Sequence, residues 1–271
     1  MKSATEHGAA VGADLRWDVR LTRDLVCKSF GTAQWAKAHP SVRSMADRPE
    51  FCRYHYHEAA DMLDSYIAAN LEKAGLWKVF DDRDEFGYLM LKLRANVVAF
   101  VQSLHAVADT CAHAVYYALA LDRSSRALRE RDISAAGVLK RLQQQCGDGH
   151  SEFSEVYSLF VQLVSEGDYA YLNALANTSK HRAIVRPALN EDATGARQER
   201  WILFLEPFSY RGIAYQKVDV RQFMRNEHSR IQALTVHIGA SLNQLLMAGL
   251  MAGPATLQGP SSGPEAVSAD A

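Results

Sequence analysis

The chain has 271 residues, 48% of them hydrophobic, and 30 Lys or Arg side chains against 31 Asp or Glu, for a formal net charge of −1. This composition suffices for a packed core. The near-neutral charge excludes a protein that binds nucleic acid over its whole surface, so only a local basic patch stays open. A disulfide framework or structural zinc site is not expected, because no CxxC pair occurs among the four distant cysteines, Cys27, Cys52, Cys111 and Cys146.

Both ends of the chain, residues 1–12 and 253–271, lack periodic hydrophobic residues and are rich in small residues. Such segments bury too little apolar surface to offset their ordering entropy, so we expect them to be disordered. The N-terminus has no apolar signal-peptide core. The most apolar stretch, residues 88–121, is interrupted by charged side chains and is too polar for a membrane span. We therefore predict a soluble, cytoplasmic protein without a membrane partner.

Helical periodicity dominates the chain up to residue 181. Residues 13–49 are ambiguous and fit one helix and a loop, whereas residues 50–74 repeat apolar side chains at helical spacing and end at Gly75. Residues 88–121 are apolar almost all round, which is typical of the central helix of a bundle. Further helices are predicted from Asp132 to about residue 145, from Ser151 to about 165, and from Asp168 through 181.

Three β-rich runs follow these helices: RAIVRPAL, ERWILFLEP and GIAYQKVDV, separated by turn-like segments. Asp219 then caps a last long helix that reaches about Leu250. The predicted fold is mainly α, a single domain over residues 13–252. It is a helical bundle with a small antiparallel β-meander, at about residues 183–218, inserted before the last long helix.

The most suggestive stretch for chemistry is LANTSKHRAIVRP, residues 175–187. On a helix Asn173, Asn177 and His181 share one face, Lys180 flanks it, and Arg182 lies at the helix end. An imidazole that moves a proton beside cations that neutralise a phosphate is a workable phosphodiester site. The plainer alternative is a basic helix C-terminus, since Lys, His and Arg complement the helix dipole.

The string Asn-x-x-Lys-His-Arg lies late in a helical region, before a short β-insert and a final long helix. In this it resembles the HEPN superfamily, and within it the branch with this motif, over roughly residues 50–250. The resemblance implies metal-independent endoribonuclease activity, or non-catalytic RNA or nucleotide binding, with no cofactor. It also implies a homodimer, and a bacterial phage-defence or toxin–antitoxin setting with an antitoxin or other operon partner.

The resemblance implies roles for Asn177, Lys180, His181 and Arg182. We predict His181 as the proton-transfer group and Lys180 and Arg182 as phosphate and transition-state contacts. The predicted RNA- or nucleotide-binding residues are Asn173, Asn177 and Asp109. Asp109, on the central helix, is expected to be buried and to orient His181 by a hydrogen bond.

Two alternative functions stay open. His105, Asp109 and His113 are spaced four residues apart on one face of the central helix, and bundles build metal sites from such residues. With His57, Glu58 or Asp61 they would form the site of a metal-dependent hydrolase. The other alternative is a non-catalytic helical module that holds a partner protein.

Overall fold

The computed structural model describes residues 17–75, 77–165, 167–195 and 199–252. The predicted disordered ends, residues 1–12 and 253–271, lie outside this part of the chain. The fold is mainly α, as predicted, with a small antiparallel sheet before the last long helix.

The helices follow the chain in this order: α1 (Val19–Phe30), α2 (Thr32–Tyr66), α3 (Glu72–Ala74), α4 (Trp77–Asp81), α5 (Arg83–Ala118), α6 (Ala135–Gly147), α7 (Ser154–Ser165), α8 (Gly167–His181) and α9 (Val220–Ala252). A π-helical turn, Ile67–Leu71, joins α2 to α3. Short 3-10 turns occupy Leu121–Arg123, Glu130–Asp132 and Ser151–Phe153.

The long helices α2 and α5 form the central antiparallel pair. Residue 34 of α2 bonds to the Tyr117 carbonyl, whereas the His55 ring, further along α2, bonds to Asn96 at 2.8 Å. The helix α5 is buried along most of its length, as its nearly continuous apolar sequence predicts. The ambiguous segment 13–49 holds α1 and the first half of α2, which runs through Pro40 and Pro49.

The last helix, α9, packs against α1, α2, α5 and α7. By length and composition Val220–Met251 is apolar enough to cross a membrane. Of an 18-residue apolar window within it, 56% is buried inside the structure, and the core helix of a soluble protein has the same features. On its buried side Glu227 accepts two hydrogen bonds from Arg230, which also reaches the Gln162 carbonyl of α7. This pairing fits a helix held inside a protein.

Of two predicted helix caps, the one at the start of α9 is confirmed and the one at the start of α6 is not. The Asp219 side chain accepts a hydrogen bond from the Gln222 amide, as expected of the cap of α9. The prediction that Asp132 caps α6 is wrong: Ser134 accepts the bond from the Gly137 amide, and α6 begins at residue 135.

The sheet consists of β1 (Pro187–Glu191), β2 (Trp201–Leu205) and β5 (Val218–Asp219), antiparallel in the order β1-β2-β5. The strands β3 (Phe208–Tyr210) and β4 (Ile213–Tyr215) pair separately as a hairpin. Arg211 and Gly212 at its turn both have positive φ, the conformation of tight hairpin turns. The third predicted β-run is therefore divided between the hairpin and the sheet.

Candidate nucleic-acid interface

The helix α8, which carries the basic motif, lies antiparallel against α5. The Gln102 side chain donates to the Ala176 carbonyl at 2.9 Å, and one turn further along α5 the His105 ring meets Asn173 at 2.9 Å. Leu172 and Leu175 are buried in the core, so α8 is anchored along its middle. This packing decides which motif residues point inward.

The two asparagines of the motif face belong to the contact between α5 and α8. The Asn173 Oδ1 atom accepts from Asn177 Nδ2 at 2.8 Å and lies 2.9 Å from His105 Nε2. Because a carbonyl oxygen only accepts, His105 donates from Nε2. Asn177 also donates to the Asn173 backbone carbonyl at 2.8 Å. These half-buried bonds join α8 to α5, while a contact of either amide with RNA stays a prediction.

The three basic residues of the motif lie outside this contact. Lys180, His181 and Arg182 are exposed, and their side chains form no ion pair or hydrogen bond within the part of the chain that the structure describes. The helix ends at His181, where the amides of Arg182 and Ala183 both donate to the Thr178 carbonyl at 3.0 Å. The motif is thus divided into inward amides and outward cations.

The chain segment that carries these basic residues has no acidic residue of its own, and the exposed Glu206 lies beside Arg186, since its amide donates to the Arg186 carbonyl at 3.0 Å. Between residues 169 and 190 the sequence has no Asp or Glu, while Lys180, Arg182 and the exposed Arg186 bring three positive charges. Continuing the α5–α8 register brings Arg94 of α5 opposite residue 184, three residues past the end of α8, and its buried Nε atom has no hydrogen-bond partner among the residues that the structure describes. We call Lys180, His181, Arg182 and Arg186 the basic end of α8.

A second arginine-rich segment, residues 123–131, differs from the basic end of α8 because its cations are occupied. Arg123 donates to Gln34 and to the Phe30 carbonyl. Arg126 pairs with Asp148 at 2.9 Å, and Arg129 pairs with Asp132 at 2.6 Å. Arg126 and Arg129 are more than half exposed, so these pairs hold the loop only weakly, but each places a carboxylate beside its arginine and lowers the net positive charge of the segment.

The prediction that a buried Asp109 orients His181 is wrong. Asp109 is exposed, and its Oδ1 atom accepts a hydrogen bond from the Ala135 amide at the start of α6, at 2.8 Å. Burial raises the pKa of Tyr169, and the nearby Asp109 charge raises it further, so Asp109 lies beside the start of α8. His181 is twelve residues further along that helix, which at about 1.5 Å per residue is roughly 18 Å away. The antiparallel packing of α5 and α8 causes this separation.

The metal-site alternative gains no support from the geometry. The His105 ring bonds to Asn173 and lies parallel to the Tyr169 ring, at 6.2 Å between centroids. Asp109 bonds to α6, and the His113 ring contacts that of Tyr117. Within the described residues, no three His, Cys, Asp or Glu side chains are grouped to hold a metal ion. The further candidates, His57, Glu58 and Asp61, are exposed on α2.

Comparisons of the chain with protein-family models, with curated proteins and with solved structures find no match.

Proposed function

We propose that this chain is a HEPN-like RNA-binding protein that contacts the phosphate backbone of RNA through the basic end of α8. The observation that carries the proposal is a local excess of exposed positive charge on a chain whose formal net charge is −1. Lys180, Arg182 and Arg186 lie within seven positions that include no acidic residue, and Glu206 beside Arg186 offsets one of the three charges. Exposed Lys and Arg release counterions from nucleic acid when they meet phosphates, which drives binding.

The choice of single-stranded RNA as the ligand rests on the Asn-x-x-Lys-His-Arg resemblance together with the shape of the surface. The basic end of α8 is a helix terminus followed by a segment without regular secondary structure, residues 183–186, and Ile184 is exposed among the basic side chains. An apolar side chain between phosphate contacts suits a strand whose bases are not stacked in a duplex. A cytoplasmic, dimeric, defence-related role with an operon partner belongs to the same proposal.

Cleavage of the bound RNA is the second part of the proposal. The exposed His181 imidazole would accept the proton of a ribose 2′-hydroxyl as its oxygen forms a bond to the adjacent phosphorus. The bond from phosphorus to the 5′ oxygen breaks, and that oxygen takes a proton from water. Lys180 and Arg182, next to His181 in sequence, would stabilise the negative charge on the phosphate. No metal ion takes part.

The test measures binding of the full-length chain to a fluorescein-labelled single-stranded RNA by anisotropy at several salt concentrations. The triple variant Lys180→Gln, Arg182→Gln, Arg186→Gln should bind about tenfold more weakly or worse at moderate salt. Because each phosphate contact contributes about 0.7 to the slope of log affinity against log salt, the slope should fall by about 2.

A matched control replaces three exposed cations of α1, in the variant Arg20→Gln, Arg23→Gln, Lys28→Gln. In this segment Asp18 and Asp24 lie among the cations. The helix α1 packs on the C-terminal half of α9, where Thr22 bonds to Asn243, away from α8. Equal affinity and slope for both triple variants would overturn the proposed surface, and absence of binding at low salt would overturn RNA binding altogether.

The same labelled RNA, incubated with the protein and a chelator and run on a denaturing gel, tests cleavage. Cleavage that disappears in His181→Ala supports the proposed proton transfer. If the native chain leaves the RNA intact, or if cleavage survives in His181→Ala, the proposed catalysis by His181 is rejected. RNA binding is tested separately, by the anisotropy measurement.

A second candidate function, holding a partner protein, is favoured by one feature. Large apolar side chains stand exposed along α4 and the first half of α5: Trp77, Phe80, Tyr88 and Leu91, each more than half exposed. We call them the α4–α5 stripe. Large exposed apolar side chains grouped along neighbouring helices commonly mark protein interfaces. The stripe is a surface for the proposed homodimer or for an operon partner.

A further inference from the structure

A pocket between α2 and α9 is the feature that neither the motif nor the proposed RNA surface uses. Its volume is about 250 Å³. The residues that line it are Cys52, Arg53, Tyr56 and His57 of α2, Phe100 of α5, and Met224, Arg225, His228 and Ser229 of α9. We call this cavity the α2–α9 pocket.

The lining follows from the helix repeat. On each of the two helices the lining residues are two adjacent positions and the two positions one turn later, so they form one face. Each face has a buried apolar residue at depth, Cys52 on α2 and Met224 on α9, and Phe100 of α5 lies beneath them. The cationic side chains Arg53 and Arg225 are exposed. The pocket thus has an apolar floor and a cationic rim.

The rim is positive without a carboxylate of its own, because no Asp or Glu is among its described lining residues. Arg225 forms no ion pair with any residue that the structure describes. Arg53 bonds to Glu50, but both side chains of that pair are more than half exposed, and such pairs contribute little. Arg53 is therefore readily released to a ligand, and an anionic group at the rim would meet two guanidinium groups.

The size of the pocket limits the apolar part of such a ligand. An engineered cavity of about 150 Å³ in another protein takes up benzene, and drug-sized ligands occupy pockets from about 300 Å³ upward. A volume of about 250 Å³ therefore suits one aromatic ring or two fused rings. The half-buried Tyr56 offers a ring contact in the wall of the pocket, above the buried Phe100 and Met224.

We propose that the α2–α9 pocket binds a small aromatic carboxylate, with its rings beside Tyr56 and above the buried floor of Cys52, Phe100 and Met224, and its carboxylate at Arg225. A guanidinium matches a carboxylate with two parallel hydrogen bonds, which favours this acid over a neutral ring of the same shape.

The pocket is separate from the RNA surface. Phe100 faces the pocket, whereas Gln102, two residues later on α5, faces α8. Two helical residues are about 200° apart around the axis, so the two sites lie on opposite sides of α5. The proposal therefore does not depend on RNA binding.

The test titrates the full-length chain with 2-naphthoate by isothermal calorimetry and repeats the titration with the uncharged 2-naphthamide. We expect saturable binding of naphthoate below about millimolar concentration and at least tenfold weaker binding of the amide, because the amide lacks the charge that Arg225 meets. Absence of naphthoate binding at millimolar concentration, or equal binding of both compounds, would overturn the proposal.

Three variants locate the binding. Arg225→Gln should weaken naphthoate binding about tenfold, whereas Arg43→Gln, an exposed arginine of α2 outside the pocket, should leave it unchanged. Ser229→Trp should abolish binding of both compounds by filling the cavity from its exposed side, so the buried floor stays intact. Equal affinity in Arg225→Gln and Arg43→Gln, or full affinity in Ser229→Trp, would contradict binding in this pocket.

Discussion

Because the amides of the motif point inward and its basic side chains point outward, two substitutions on α8 should affect the stability of the fold differently. Asn173→Ala removes the oxygen that accepts from both His105 and Asn177, whereas His181→Ala removes an exposed ring without a hydrogen bond in the described structure. The first should destabilise the fold, and the second should leave its stability nearly unchanged. Both replace a helical residue with alanine, so each serves as the control of the other.

The size of the effect follows from the bonds. Two hydrogen bonds of about 1 kcal/mol each are lost, and the better helix propensity of alanine returns about 0.6 kcal/mol. Asn177 keeps its bond to the Asn173 backbone carbonyl, so it is not left unsatisfied. The free energy of unfolding should therefore fall by about 1.4 kcal/mol, which for a chain of this size lowers Tm by roughly 3–6 °C. For His181→Ala we expect a change within about 0.5 kcal/mol.

Urea unfolding followed by circular dichroism measures both changes, with equal m values required for the comparison. A His105→Ala, Asn173→Ala double variant should be less destabilised than the sum of the single variants, because the same hydrogen bond is removed in each. If Asn173→Ala is no more destabilising than His181→Ala, the bonds do not join α8 to α5, and the structural role assigned to Asn173 is refuted.

Two further predictions concern buried thiols and the exposed stripe. Burial raises the pKa of Cys52 and of Cys111 to about 12, so both thiols stay protonated at pH 8. A thiol reagent should therefore modify only the other two of the four cysteines in the native protein, and all four once guanidinium unfolds the chain. Rapid modification of all four in the native protein would contradict this packing. Tyr88→Lys with Leu91→Lys should convert a dimer to a monomer in light scattering, because two charges would be buried at the interface, whereas an unchanged dimer mass would exclude the stripe as its contact.

Elements that are determined by residues close together in sequence could be predicted, whereas elements that depend on contacts between distant residues could not. The start of α9 at Asp219 is a local signal, a cap followed by an apolar helix, and it was predictable. The first half of α2 was not, because Pro40 and Pro49 normally end helices. There the contact of α2 with α5 along its length outweighs the missing amide donors, and that contact joins residues far apart in sequence.

In the candidate site, too, contacts within one helix could be predicted and contacts between helices could not. Helical spacing correctly relates Asn173 to Asn177, which are hydrogen-bonded one turn apart. The same spacing cannot tell which end of α8 meets which end of α5, and so it placed Asp109 beside His181. Only the register across the two helices, set by Gln102 and His105, separates them.

The α2–α9 pocket was missed for a related reason. Its α2 residues lie in CRYHYH, a stretch whose histidines suggested metal ligands, while its α9 residues lie some 170 positions later in the chain. In each helix taken alone, the pattern is an apolar side chain next to a cation. Such a pair is common where the buried face of a helix meets its exposed face, so it does not indicate a binding site. When the two helices meet over Phe100, these edges become one cavity with cations on both sides. A ligand site made in this way depends on the pairing of helices, so a test on an isolated segment would not detect it, and the full chain is the form in which naphthoate binding must be measured.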